Sequence, residues 1–209
     1  KSLEALGRWN HPELGPIPPN QFIPLAEETD LIVDLDCWVI REVARQQDEW
    51  RRECLPLVPV SVNVSASHIG RESLVETFDE IMQRYPFLKG LIEVEITETS
   101  TMADPNQTAK TLSGLFQMGV QSSIDDFGSG YTSLGYLKKF SADKLKIDRS
   151  FIDDITTDDY DRDVAKAIIA LAASLSMQVV AEGVETKEQW KMLESFGCNL
   201  LQGFFFRRP

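Results

Sequence analysis

The chain has 209 residues, 43% of them hydrophobic, and its 33 Asp and Glu against 21 Lys and Arg give a formal net charge of -12. That length suits one large domain with a sizeable core, and the acidic balance argues against binding duplex DNA or an anionic membrane through bulk charge. No apolar run reaches the roughly 18 residues of a bilayer span and no signal peptide is visible. Three scattered cysteines, Cys37, Cys54 and Cys198, form no Cys-x-x-Cys pair, fit a reducing compartment and read as small apolar residues.

In chain order, Leu3 to Leu6 reads as the end of a strand, and Arg8-Trp9 opens a turn-rich loop through Pro19. Apolar residues recur at helical spacing from Phe22 to Leu35. Trp38 to Trp50 is an amphipathic helix with Val39, Ile40, Val43 and Trp50 on or near one face, ending by Pro56. Strand and helix then alternate. Strands are expected at Val58 to Val64, Leu91 to Ile96, Val120 to Ile124, Lys144 to Ile147, Gln178 to Ala181 and Asn199 to Phe205. Helices are expected at Ser73 to Tyr85, Gln107 to Met118 (started by Asp104-Pro105 and closed by Gly119), Thr132 to Phe140, Arg162 to Ser176 and Lys187 to Phe196. This alternation specifies a parallel sheet, and seven strands suggest a TIM-barrel-like (β/α)8 fold, with an open doubly wound sheet as the alternative. A barrel needs eight strands, so one is expected to precede Lys1 in the natural protein.

In a barrel the C-terminal strand ends converge on one mouth, where barrel enzymes work. The polar residues at those positions are Glu4, Asn63, Glu95 with Glu98, Asp125 with Asp126, Lys146 with Asp148, Glu182 with Glu185, and Gln202. Alone, Asp125-Asp126 before Gly-Ser-Gly would read as an Asx-type turn. With this many acids at one mouth, mutual repulsion instead calls for a cation. Oxygen ligands without His or Cys favour Mg2+ or Mn2+ over zinc. Asp125 followed by a second acid could bridge two metals about 4 Å apart, as in phosphoester hydrolysis. Lys146, between Leu145 and Ile147, needs a partner: it either makes a structural salt bridge with a strand-end acid, or orients or deprotonates water, or holds a phosphate as a point charge. His11 and His68 lack the spacing of a metal site and are expected as loop structure or peripheral contacts, which disfavours a Ser-His-Asp hydrolase.

A set of ordered motifs goes further. Glu4-Ala5-Leu6 with Arg8-Trp9, Gln21 to Glu27, Val62-Asn63-Val64-Ser65, Glu95-Ile96-Thr97-Glu98, Asp125 to Leu134, Lys146-Ile147-Asp148, Glu182-Gly183-Val184-Glu185 and Gln202-Gly203 together resemble the EAL-domain phosphodiesterases of bacterial cyclic di-GMP signalling, over residues 1–209. The resemblance implies a single barrel domain with one antiparallel strand that hydrolyses cyclic di-GMP to linear pGpG with two Mg2+ or Mn2+ ions. By position, Glu4, Asn63, Glu95 and Asp125 would hold one metal, with Asp125 bridging to a second that Asp126 also binds. Lys146 would contact the attacking water and Glu182 would support it; with Glu4 they make up the implied catalytic set. Leu6 and Arg8, with Asp148, Glu185 and Gln202, would meet the substrate. Glu98 would anchor the loop Phe127 to Leu134, through which the family couples dimer contacts to metal binding.

The implied partners are cyclic di-GMP, a second copy in a homodimer, and sensory or GGDEF domains attached outside this sequence, in the cytoplasm; any membrane anchor would also lie outside it. Three positions depart from the family pattern: the strand before the Glu-Ala-Leu motif, with its substrate-contacting Gln, is missing; Arg207 stands where a small residue is usual; and Gly7 stands where a larger apolar residue is common. The rival reading is a catalytically silent cyclic di-GMP receptor. Members of that kind usually lose a metal-binding acid, and here the acids are present.

Overall fold

The computed structural model describes residues 2–130 and 133–206. It begins with β1 (Leu3–Ala5) and an antiparallel hairpin of β2 (Trp9–His11) and β3 (Gly15–Ile17). The hairpin stands where the sequence suggested only loop, because three-residue strands broken by Gly and Pro show no period. Gly15 adopts the left-handed φ of +72° that the turn requires, and the Trp9 ring meets Phe22 edge-on at 5.9 Å. The chain continues through α1 (Pro19–Glu28), α2 (Ile32–Arg52), β4 (Val60–Asn63), α3 (Ala66–Ile69), α4 (Glu72–Arg84), β5 (Ile92–Thr97), α5 (Glu98–Ala103), α6 (Pro105–Gln117) and β6 (Gln121–Phe127). After it come α7 (Leu134–Leu137), β7 (Lys144–Ile147), α8 (Ser150–Asp153), α9 (Asp159–Ser174), β8 (Gln178–Ala181), α10 (Lys187–Ser195) and β9 (Leu200–Leu201).

By contact the residues fall into two units, Lys1–Ile96 with Asp104–Ser122, and Thr97–Ala103 with Ser123–Pro209. In the first, β1, β4 and β5 pair side by side in parallel, with Glu4 opposite Ser61 and Asn63 opposite Glu95. Parallel partners point to the same side of a sheet and neighbours along a strand to opposite sides. Leu3, Ala5, Val60, Val62, Ile92, Val94 and Ile96 therefore share one face, and Glu4, Ser61, Asn63, Glu93 and Glu95 share the other. On the apolar side, α2 packs against β4 and α4, burying Ile40, Ala44, Leu74 and Phe78 completely. Ile40, Leu74 and Phe78 each contribute about 1.5 to 3 kcal/mol when removed from water. Gln47 of α2 is fully buried and donates to Val58 O at 2.7 Å and Leu91 O at 3.3 Å, which ties down the entries of β4 and β5.

In the second unit β6, β7, β8 and β9 pair in parallel in that order. Every strand expected from the sequence is present, and the alternation of strand and helix is α/β as expected. Antiparallel pairing is found in the β2–β3 hairpin. Most strand bounds lie within two residues of expectation, and two strand ends differ by three or more. β6 runs on to Phe127 instead of stopping at Ile124, and β9 spans only Leu200–Leu201 before the chain turns at Gly203. The expected helix start at Thr132 lies outside the described residues, as do Tyr131 and Arg207. The one-turn helices α3, α5 and α8 are too short to show a helical period.

Gly203 has φ +156°, and a Cβ there would fall 2.2 Å from Val184 O and 2.4 Å from Val184 N. Backbone packs on backbone with no flexible side chain to give way. The substitution Gly203→Ala is expected to lower stability by about 2 to 3 kcal/mol, read as a lower urea midpoint at unchanged slope. A midpoint within error of the wild type would show that the Val184 turn yields freely.

His68 is corrected by the structure. It is neither in a loop nor peripheral: it lies on α3, wholly buried, beside Asp36 and Cys37 of α2. Its partners are some thirty positions away, and sequence spacing carries no trace of them. Among the described residues no helix is long and apolar enough to cross a membrane.

Candidate active site

In the first unit the strand pairing sets a row of oxygen donors. Asn63 Nδ2 donates to Glu4 Oε1 at 3.1 Å across the β1–β4 pair, and the β4–β5 register puts Glu95 beside Asn63. Val64 N donates to Glu95 O at 2.9 Å, which extends the pairing past the end of β4 and fixes that row. Glu95 is only 4% exposed and Glu93, two residues earlier on the same face, 3%. Glu93 was not among the expected site residues. The signal was the two-residue period of Glu93 and Glu95 within an apolar strand. Leu6 and Arg8 follow β1 and stand exposed, with Arg8 Nη1 donating to Gly7 O at 3.0 Å.

In the second unit Lys146 sits on β7 with 2% of its surface exposed. Its Nζ lies 3.0 Å from Asp125 Oδ2 and 2.6 Å from Glu182 Oε1. Asp125 comes from β6, and Glu182 follows the β8 residue paired with Ile147. The β6–β7 register shifts between Ile124 and Phe127, and Asp126 takes φ +53°. A bulge of this kind re-aims side chains within a strand. It explains how β6 continues through two adjacent acids that the sequence placed beyond the strand's end. Asp125 Oδ1 accepts from Asp126 N at 2.9 Å.

The Asp126 carboxyl is pushed up to about 6, first by burial, then by the charges of Asp125 and Asp148, with the Lys146 ammonium opposing them. Asp148 Oδ1 accepts from Ser150 N at 2.8 Å and from the Ser150 hydroxyl. Glu185 Oε1 accepts from Arg149 Nη2 at 2.9 Å in an exposed pair. Exposed Gln202 is fixed by its backbone, with its N–H on Ala181 O at 2.9 Å and its carbonyl accepting from Val184 N at 3.0 Å.

Glu98 is 2% exposed at the start of α5, and its Oε2 accepts from Gly128 N at 2.8 Å and Gly130 N at 3.2 Å. The two glycines are required by space. A Cβ on Gly130 would lie 3.0 Å from Glu98 Cδ, and one on Gly128, at φ +102°, would lie 2.8 Å from the Phe151 ring. The loop after β6 is thus tied to α5 through the N–H groups of Gly128 and Gly130, two residues apart.

Gln189 was also unanticipated. It is 5% exposed; its Oε1 accepts from Glu185 N at 2.8 Å and Thr186 N at 2.9 Å, while its Nε2 donates to Ile152 O at 3.0 Å and Asp153 O at 3.1 Å. The detectable signal was the Thr-x-x-Gln capping box that opens α10.

The donor chemistry fits a hard divalent cation. The expected ligands Glu4, Asn63, Glu95, Asp125 and Asp126 offer oxygen, with no thiolate or imidazole among them. Burial first, and then the neighbouring charges of Asp125 and Asp148, raise Asp126 despite Lys146. Among the described residues no three His, Cys, Asp or Glu form a ready ligand group; the donors stand as the row at Glu4, Asn63 and Glu95 in one unit and the pair Asp125–Asp126 in the other.

A family model for the EAL domain matches residues 1–209. The chain is 44% identical to "Cyclic di-GMP phosphodiesterase NbdA" of Pseudomonas aeruginosa, over 99% of this chain and 26% of that protein. It is 44% identical to "Signaling protein YkoW" of Bacillus subtilis, again over 99% of this chain and 26% of that protein. A solved structure described as "PaMucR Phosphodiesterase, c-di-GMP complex" matches with a TM-score of 0.91 and 43% identity, covering 99% of this chain and 83% of that one. The chain therefore spans 26% of the length of these two relatives.

Proposed function

The chain belongs to the EAL domain family, and from that premise we propose that its 209 residues form one phosphodiesterase domain that hydrolyses cyclic di-GMP to linear pGpG. Its fold is the TIM-barrel-like α/β fold of that family. The observation that carries the functional reading is the buried Lys146 ammonium held between Asp125 and Glu182 at 3.0 and 2.6 Å. A lysine sealed into an apolar strand and matched to two strand-end acids is costly as structure alone, since such pairs seldom outweigh their desolvation.

Glu4, Asn63, Glu95, Asp125 and Asp126 would hold two Mg2+ or Mn2+ ions. Bound there, the ions would polarise the phosphodiester and lower the pKa of the attacking water. Lys146, flanked by two carboxylates, has no lone pair to take a proton; it donates a hydrogen bond that orients the water oxygen toward phosphorus. The Glu182 carboxylate fixes that ammonium at Oε1 and accepts the proton the water releases. As the new P–O bond forms, the bond to one ribose 3′ oxygen breaks, giving the linear product. Arg8 meets a phosphate, and Leu6, Asp148, Glu185 and Gln202 border the rest of the substrate. Glu98 holds the start of the loop after β6, at Gly128 and Gly130, in its working position.

The attached domains of longer relatives, a homodimer and a cytoplasmic setting belong to the same reading; three cysteines outside any disulfide support the last. The test is incubation with cyclic di-GMP and Mn2+ or Mg2+, followed by chromatography for pGpG. Product is expected. Tight binding without product over hours would overturn the enzyme reading in favour of a receptor.

A further inference from the structure

Within the first unit lies a buried polar cluster that hydrolysis does not use. Asp36 on α2 is 6% exposed, and its Oδ2 accepts from Ser65 N at 3.0 Å and Ser65 Oγ at 2.7 Å. The same oxygen lies 3.4 Å from His68 Nδ1. His68 is fully buried, and its Nδ1 is within ion-pair range of that carboxylate but makes no hydrogen bond. The other ring nitrogen, Nε2, is 3.7 Å from Cys37 Sγ, and Thr77 Oγ1 is 3.6 Å from the same sulfur. Cys37 itself is only partly buried. A carboxylate, an imidazole and a thiol thus stand in line, the first two on buried residues and the third on a residue that is only partly buried. An apolar core has no need of that order; it is the order in which a base and its orienting acid activate a nucleophile.

We propose that Cys37 is a modification site for small electrophiles of the hydroperoxide class, with His68 as its proton acceptor and Asp36 as the positioning residue. Nε2 of His68 takes the thiol proton. The sulfur electron pair attacks the nearer peroxide oxygen, so that an S–O bond forms and the O–O bond breaks. The departing oxygen recovers the proton from Nε2 and leaves as water, or as an alcohol from an organic peroxide. Sulfur is oxidised by two electrons to a sulfenic acid, and the peroxide is reduced by two. The Thr77 hydroxyl can donate to the sulfur while it is charged.

The other two thiols serve as references in the same molecule. Cys54 is exposed, and Cys198 is buried with its thiol pushed up to about 11. The full chain is treated with hydrogen peroxide and dimedone, and the rate of adduct formation at each cysteine is followed by mass spectrometry. Cys37 is expected to react about tenfold faster than exposed Cys54, because a ring nitrogen stands 3.7 Å from its sulfur to take the thiol proton during attack. Cys198 is expected to stay unlabelled. His68→Gln, which keeps the size of the ring and loses the base, is expected to bring Cys37 to or below the Cys54 rate with the Cys54 rate and melting temperature unchanged. Asp36→Asn should slow Cys37 alone, and Asp36→Glu should recover part of the loss. Cys37 reacting no faster than Cys54 in the wild type would overturn the proposal even if neither variant folds; an unchanged Cys37 rate in a folded His68→Gln protein would overturn the role of the base.

Discussion

Lys146→Met is expected to lower the turnover of cyclic di-GMP by about a thousandfold, which is roughly 4 kcal/mol of barrier. Methionine keeps much of the length of the apolar stem and suits the burial of this site on β7, so the change falls on the ammonium. Two effects then act together. Water loses the hydrogen bond that orients it, and Asp125 and Glu182 lose the cation 3.0 and 2.6 Å away that kept their charges compensated. Breaking a buried ion pair from one side costs about 3 to 5 kcal/mol of stability, so rates must be compared at a temperature where circular dichroism shows both proteins fully folded. Lys146→Arg offers a control, since a planar guanidinium keeps the charge but cannot occupy the space of a point-like ammonium; it should remain far below the wild type. If folded Lys146→Met kept turnover within tenfold, Lys146 would be structural and the mechanism would need another means of orienting water.

Glu98→Ala is expected to reduce turnover by about a hundredfold without touching any group that faces the substrate. The substitution removes one carboxylate oxygen that accepts two peptide N–H groups, at 2.8 and 3.2 Å. Hydrogen bonds to a charged partner contribute about 1.5 to 3 kcal/mol each. The loop directly adjoins Asp126, whose carbonyl accepts from Ser129 Oγ at 2.7 Å, so its release frees the backbone that aims the carboxylate. Limited proteolysis provides the second readout: cleavage within residues 127–134 should appear early in the variant and late in the wild type. Full activity with unchanged protease resistance would show that Gly128 and Phe151 hold the loop without Glu98.

Much of this was legible in the sequence because most strands are apolar runs with a polar residue at or just past the end. β7 and β8 keep their expected bounds, and Asn63, Asp148 and Glu182 close or directly follow their strands, whereas Asp125 and Asp126 lie within β6. The ordered motifs, rather than periodicity, gave roles to Arg8 and Glu98. What the sequence hid was of two physical kinds. Elements of two to four residues, such as the β2–β3 hairpin, α3 and α8, are shorter than one period of any pattern. Contacts between residues far apart in the chain, such as His68 with Asp36 and Gln189 with Ile152, leave no mark on local spacing. Glu93 belongs to neither kind: its alternation with Glu95 was visible, but the strand-end rule drew attention to the last acid alone.

The side-chain amide of Gln189 accepts hydrogen bonds from the peptide N–H groups of Glu185 and Thr186 and donates to the carbonyls of Ile152 and Asp153. Two stretches more than thirty residues apart are therefore latched by one planar group. In deuterated solvent the Glu185 and Thr186 amide hydrogens should exchange slowly and at nearly equal rates, since a single rotation of the Gln189 side chain exposes both. Gln189→Leu should accelerate the two together, and exchange at different rates in the wild type would show that the segment after Glu182 opens one peptide at a time.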